Sequence, residues 1–300
     1  MFELLKDTNI DFIGFRKKAL IISAIMIILG FFAFVMVVLG KANLSVDFTG
    51  GTNLQIRSTE QIDISTLRKV LTDGGISDVQ IQEVSGTKDF FIKTKLVDTE
   101  KETIQNKVTT IFSAQLPGKK FEVLGSNMVG PGVGKELKNY AIIAVCLAML
   151  GIIIYIWYRF TLISGIAATI ATFHDVFAVL GVFYVLNKEI NLLIITALLT
   201  VAGYSLQDTV VVFDRIRENM GAMKSRDDLA KIMNKSINEV LSRTIITGIS
   251  TILALGALMF AGGDVLFDFS FALLIGLIVG TYSSIFVASP LVLLWRKAVK

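Results

Sequence analysis

The chain has 300 residues, 53% of them hydrophobic, and a mean hydropathy of +0.68. A soluble globular domain does not carry that load, because its own surface must be polar, so the excess faces lipid. One cysteine, Cys146, excludes an intrachain disulfide, and a single histidine with a single cysteine excludes a structural zinc site. The net charge of +4 matters less than where the basic residues fall.

In chain order, residues 1–18 end on the basic run Phe15-Arg16-Lys17-Lys18, and an apolar run follows over 19–39. That run is too long for the h-region of a cleaved leader, and no Ala-x-Ala-like site closes it, so it reads as an uncleaved signal anchor. A membrane span takes about 20 mainly apolar residues. Five further segments qualify, at 139–157, 162–186, 190–213, 244–260 and 269–294, and the helix that holds 244–260 begins earlier, near Ser236.

Between the first two spans, residues 41–136 balance acidic against basic side chains and alternate like a folded domain. Strands are expected at 53–57, 79–84, 90–96 and 120–124, with helices at 63–73 and 99–116. Ile64, Leu67, Val70 and Leu71 form the apolar stripe of one helix, and Ile104, Val108, Ile111 and Phe112 that of the other. Asp73-Gly74-Gly75 and Pro117-Gly118 stop them. The order β-α-β-β-α-β is that of the split-βαβ, ferredoxin-like arrangement. The expected fold is therefore a polytopic α-helical membrane protein with six transmembrane helices and an inserted α+β ferredoxin-like periplasmic domain.

Orientation follows from the basic residues of the short loops. Arg16, Lys17 and Lys18 precede the first span, and Arg159 follows the second. Arg215, Arg217, Lys224, Arg226, Lys231, Lys235 and Arg243 fill a loop at 214–243, and Arg296, Lys297 and Lys300 lie in the tail at 295–300. The other side has Lys188 beside Glu189, and Asp264 with Asp268. Both termini are expected in the cytoplasm. The basic loop is drawn to anionic lipid, and nothing points to nucleic acid.

Ionisable groups inside a bilayer are costly and mark function by default. His174 and Asp175 lie near mid-depth of the third span, Asp208 in the cytoplasmic third of the fourth, and Arg243 at the start of the fifth. Helical spacing puts Val201, Tyr204, Ser205 and Asp208 on one face, and Arg243, Thr247, Ser250 and Thr251 on another. Two such stripes suggest a polar seam in which Asp208 pairs with Arg243. A carboxylate beside a guanidinium can carry a proton or fix helix packing, and the residues alone leave both open. His174 and Asp175, about 100° apart on a helix, are not expected to face each other and lean toward a supporting role. Gly276, Gly280, Ser283 and Ser284 mark close helix packing in the sixth span, either within the chain or against a partner.

Four blocks carry a resemblance. Val46-Asp47-Phe48-Thr49-Gly50-Gly51-Thr52 follows the first span, and Val129-Gly130-Pro131-Gly132-Val133-Gly134-Lys135-Glu136-Leu137 leads into the second. The stretch from Gly203 to Glu218, with Asp208 and Asp214-Arg215, ends the fourth, and Ser242-Arg243-Thr244 opens the fifth. Together they resemble the SecF proteins of the SecD/SecF family, in the resistance-nodulation-division superfamily, with Gln207 where that pattern has Asn. The resemblance implies a subunit that works with SecD and the SecYEG channel, and with YajC and YidC, to couple the proton gradient to export of unfolded polypeptides. It implies no hydrolytic chemistry and no cofactor beyond the coupling ion, H⁺ or else Na⁺. It also turns Asp208 toward proton transfer, with Arg243 as its counter-charge.

Three other readings compete, the plainest being a passive scaffold, which loss of export on neutralising Asp208 would rule out. A half-size proton-driven exporter of the same superfamily would work as a homo-oligomer. An intramembrane aspartyl protease using Asp175 and Asp208 would need two carboxylates sharing a proton. It would also need a Gly-x-Gly-Asp motif, and Gly203 stands too far before Asp208 to supply one.

Overall fold

The computed structural model describes residues 8–76, 79–83, 87–97, 103–222 and 229–298. Six helices in it are long and apolar enough to cross a membrane. These are α1 (Arg16–Val38), α5 (Pro131–Arg159), α6 (Leu162–Val185), α7 (Leu192–Ala222), α8 (Leu229–Ala261) and a composite sixth span. The sixth is α9 (Gly263–Ser283), a π-helical turn (Ser284–Ala288) and α10 (Ser289–Ala298) in succession. The chain divides into two units, one holding Met1–Asn43 with Ile143–Lys300 and the other Leu44–Ile142.

The smaller unit contains a one-turn helix α2 (Val46–Thr49), strands β1 (Gly51–Ser58), β2 (Gln80–Glu83), β3 (Asp89–Thr94) and β4 (Phe121–Val129), and helices α3 (Ile64–Asp73) and α4 (Ile104–Gln115). The four strands form one sheet in the order β2-β3-β1-β4, every neighbour antiparallel. Leu54 sits opposite Ile92 and Ile56 opposite Phe90. All four are buried beneath the stripes of α3 and α4, where Leu71 and Phe112 are almost wholly covered. Thr103 caps α4 by accepting from the Asn106 N–H at 3.3 Å. Residues 99–102, expected at the start of that helix, and Val84 at the end of β2 lie outside the described residues.

The last strand runs past its expected end at 124, because residues 125–129 pair with the first half of β1, Gly51 opposite Val129. In the larger unit α7, α8 and the sixth span likewise outrun their apolar windows. The segment expected as a loop at 214–243 is helical wherever it is described; Lys224 and Arg226 lie outside, as does Lys300 at the terminus. Its charges mask an amphipathic face on which Ile232, Met233, Ile237 and Leu241 are buried. Asn234 and Asn238 on this part of α8 hold an incoming strap. Asn238 exchanges hydrogen bonds with both backbone groups of Ile10, and Asn234 accepts from the Ile13 N–H at 2.9 Å. Phe12 and Ile13 are buried there.

Helices α1 and α6 cross where Gly30 meets Gly181. A Cβ on Gly30 would fall 2.1 Å from the Phe177 carbonyl oxygen, and one on Gly181 3.0 Å from the Gly30 nitrogen. Small residues at such a crossing let backbones approach in a medium that offers no hydrophobic drive between helices.

Candidate proton-coupling site

The core of the larger unit is polar at mid-depth. Asp175, 0% exposed, lies halfway along α6. His174 Nδ1 stands 2.8 Å from Asp175 Oδ1. Asp175 Oδ2 accepts from the hydroxyl of Ser283 at 2.6 Å and from that of Ser205. Thus α6, α7 and α9 meet on one carboxylate. The expectation that His174 and Asp175 face apart is overturned. Adjacent helix positions do point about 100° apart, yet the imidazole reaches the carboxylate beside it at hydrogen-bonding distance. His174 Nε2 is buried without a hydrogen-bond partner among the described residues.

Asp208, 7% exposed, lies one helical turn beyond Ser205 on α7. Its Oδ2 accepts from Thr281 of α9 at 3.2 Å. No ion pair or hydrogen bond joins Arg243 to Asp208 among the described residues, where Thr281 is the partner of Asp208 instead, which corrects the expected pairing. Arg243 belongs to the outward face of α8, uncovered by the rest of the chain, whereas Asp208 turns toward α9.

The expected seam between α7 and α8 is therefore split. Tyr204 does meet Thr251, their oxygens 3.2 Å apart. Ser205 and Asp208 point to α6 and α9 instead. Thr247, Ser250 and Thr251 each donate to a carbonyl in the preceding turn of their own helix. Gly276 and Gly280 pack against this chain's own α7, a Cβ on Gly280 falling 3.0 Å from Ser205 Cβ. The sequence reading missed Thr281 as a partner of Asp208 and Ser283 as a partner of Asp175. The run Gly280-Thr281-Tyr282-Ser283-Ser284 inside an apolar span was the available signal. Tyr282 ties in a fourth helix, donating to the Ala19 carbonyl of α1 at 2.7 Å.

The glycine-rich blocks meet in the smaller unit. Gly50 and Gly51 adopt φ of +70° and +117°, which a side chain rarely tolerates. A Cβ on Gly50 would fall 2.8 Å from Pro131 Cα, and one on Gly134 2.8 Å from the Gly50 nitrogen. Asp47 and Phe48 lie in α2, whose cap Ser45 accepts from the Asp47 N–H, and Thr49 donates to the Ser45 carbonyl at 3.1 Å. Gly130 lies between Val129, the last residue of β4, and Pro131, the first of α5. These motif residues shape a tight turn.

The profile of the family described as protein export membrane protein SecD/SecF, C-terminal, matches residues 107–298, and that of the SecD/SecF GG motif matches 41–62. The chain belongs to the SecD/SecF family. The protein translocase subunit SecF of Thermodesulfovibrio yellowstonii is 52% identical over 298 residues, covering 99% of this chain and 98% of that one. The protein translocase subunit SecDF of Thermus thermophilus is 37% identical over 298 residues, 97% of this chain but 39% of its own length. A crystal structure of SecDF, titled a translocon-associated membrane protein, superposes with a TM-score of 0.86 at 36% identity. It covers 99% of this chain and 40% of that one. A SecDF structure in a super-membrane-facing form gives a TM-score of 0.70 at 35% identity, covering 100% of this chain and 40% of that one. Curated SecD/SecF relatives are named as translocase subunits, and the six apolar helices make this chain a multi-pass membrane protein.

Proposed function

We propose that this chain is the SecF-type half of a proton-driven accessory to Sec protein export, completed by SecD as its second half. The observation that carries the reading is near full-length identity to SecF subunits, together with a match to about two-fifths of the fused SecDF chain. The homo-oligomeric exporter has no comparable support. The uncovered face of α8 supports a partner half: Arg243, Thr247 and Ser250 would be costly against hydrocarbon, and a second bundle would cover them.

In this reading both termini and the basic stretch around 214–243 are cytoplasmic, in the inner membrane, and the sheet unit is a ferredoxin-like periplasmic domain. Its β-α-β-β-α-β order and β2-β3-β1-β4 sheet fit that arrangement. SecYEG, YajC and YidC are the neighbours, and unfolded polypeptide is the cargo. Asp208 takes and releases the coupling proton, with Thr281 as its hydrogen-bond donor and Arg243 as a counter-charge that closes on it during the cycle. One charge crossing 100 mV releases about 2.3 kcal/mol, enough to bias a two-state movement by about 50-fold. H⁺ is the ion, with Na⁺ as the alternative to be excluded.

The test is export into vesicles energised by a proton gradient. Asp208→Asn keeps size and hydrogen bonding but cannot ionise. It should leave co-purification with SecD intact and abolish the gradient-dependent part of export, in sodium-free buffer as well. Normal export by this variant sinks the carrier role, and failure of SecD to co-purify with the unmodified chain sinks the partner.

A further inference from the structure

Asp175 is an unusual place for a carboxylate. It is 0% exposed at the middle of a membrane span, and no lysine or arginine reaches it among the described residues. A buried charge without a counter-ion is expensive. Its surroundings are nonetheless arranged for the ionised form, since two hydroxyl groups, from Ser205 and Ser283, donate to Oδ2. With the carboxylate ionised, Oδ1 can only accept, so the facing Nδ1 of His174 carries its proton. That fixes the tautomer and leaves Nε2 as a bare lone pair. This is the atom that is buried without a partner, on a side chain that is only 1% exposed.

We infer that His174 and Asp175 form a second proton-binding site in this bundle, distinct from Asp208, which takes its proton on His174 Nε2. Binding adds one proton to the imidazole and breaks no bond. Nδ1–H stays donated to Asp175, the ring becomes imidazolium, and the charge of the pair goes from −1 to 0. The proton thereby supplies the counter-ion that the carboxylate lacks. Of the helices packed around the pair, α7 brings Asp208 and Tyr204 and α9 brings Tyr282, while α1 has its charges, Arg16, Lys17 and Lys18, in its first turn. Tyr282 lies with its ring 6.4 Å from that of His174, and its hydroxyl is engaged by Ser23 and the Ala19 carbonyl.

The two sites share supports. Helix α7 brings Ser205 to Asp175 and itself bears Asp208; α9 brings Ser283 to Asp175 and Thr281 to Asp208. Neutralising the His174–Asp175 pair weakens the pull on both hydroxyls, and so changes how α7 and α9 hold Asp208. The inference rests on the proton-driven reading only for the use made of the proton; the binding itself is tested separately.

His174 is the one histidine of the chain, so its ring can be read without assignment. The full chain, labelled with ¹⁵N-histidine, purified on a histidine-free tag and placed in lipid nanodiscs, should show the Nδ1–H tautomer at the basic end. Acidification between about pH 8 and pH 5 should convert it to imidazolium in one step. Asp175→Asn should move that midpoint down by about 1–3 pH units, as loss of an adjacent opposite charge does. Asp208→Asn should still titrate at His174, so failure of the carrier role and failure of this site give different spectra. A ring that stays neutral throughout, an Nε2–H tautomer at the basic end, or a midpoint unmoved by Asp175→Asn overturns the inference. Where Asp175→Asn does not fold, the tautomer and titration of the unmodified chain decide.

Discussion

Ser283 of α9 gives its hydroxyl proton to Asp175 of α6 across 2.6 Å, in the interior of the bundle. Thr281, on the same helix, serves Asp208 of α7 at 3.2 Å. One segment of the sixth span thus holds both carboxylates that are buried inside the helical bundle among the described residues, and it does so immediately before the helix changes its winding.

Removing those hydroxyls should separate architecture from transport. A hydrogen bond to a charged group is worth about 1.5–3 kcal/mol, so Ser283→Ala should lower the thermal stability of the purified protein by that order. Thr281→Val keeps the branched shape and removes the donor to Asp208. It should cost less stability and slow gradient-driven export several-fold. Unchanged export by Thr281→Val would mean that the hydroxyl plays no part in the cycle.

Topology can be read by cysteine accessibility in a Cys146→Ala background. A cysteine in place of Gln105, exposed on α4, should react with an impermeant maleimide added to intact spheroplasts. One in place of Glu218, exposed near the end of α7, should react only after permeabilisation. The reverse pattern would invert the whole chain.

The sheet unit should show an acid-sensitive ion pair. Two hydrogen bonds from the Arg57 guanidinium, at 2.7 and 2.9 Å, hold the Asp89 carboxyl below its ordinary value of 3.8. The unfolded chain then binds the proton first, so this contribution is complete above about pH 4 and drains away as pH falls through the depressed value. Acid unfolding of a fragment spanning 41–136 should begin at higher pH in Arg57→Ala than in the parent, and Asp89→Asn should flatten the acid limb. A parallel acid limb in all three would remove the pair from the account.

The crossing of α1 and α6 gives a graded prediction. Gly30→Ala places a methyl against a backbone carbonyl that cannot move alone, and should destabilise by about 1–3 kcal/mol, as overpacking does. Gly181→Ala, at 3.0 Å, asks for a shift of tenths of an ångström and should cost less. Thermal unfolding in detergent would rank the two, and an inverted order would contradict the geometry.

The spans were legible because hydropathy over some twenty residues needs no knowledge of neighbours. The stripes of α3 and α4 were legible for the same reason, since Leu67 and Val108 lie on periodic faces wherever the sheet is. Partnership was not. Periodicity placed Tyr204, Ser205 and Asp208 together, yet their hydrogen bonds go to α8, α6 and α9 respectively. A helix with neighbours on several sides has no single buried face. Asp208 was matched with Arg243 because both lie at one depth, whereas Thr281 at that same depth carries no charge to draw notice. The long helical ends of α7 and α8 were obscured by Arg215, Glu218 and Glu239: Arg215 pairs with Glu218 inside α7 at 2.6 Å and with Glu239 of α8 at 2.7 Å, and the second pair ties the two helices beyond the apolar windows.

The π-helical turn at Ser284–Ala288 sets a counting rule for the sixth span. Such a turn holds one residue more than the α-turn it interrupts, and one residue is about 100° of rotation. Thr281 and Ser283 before it, and Val292 and Leu293 after it, therefore face inward on different phases of the helix. A chimera that joins the first half of this span to the second half of a regularly wound helix must lose a residue at the junction or turn one buried face outward. Deleting a single residue between 284 and 288, harmless in most exposed loops, would here choose which half of the span keeps its partners.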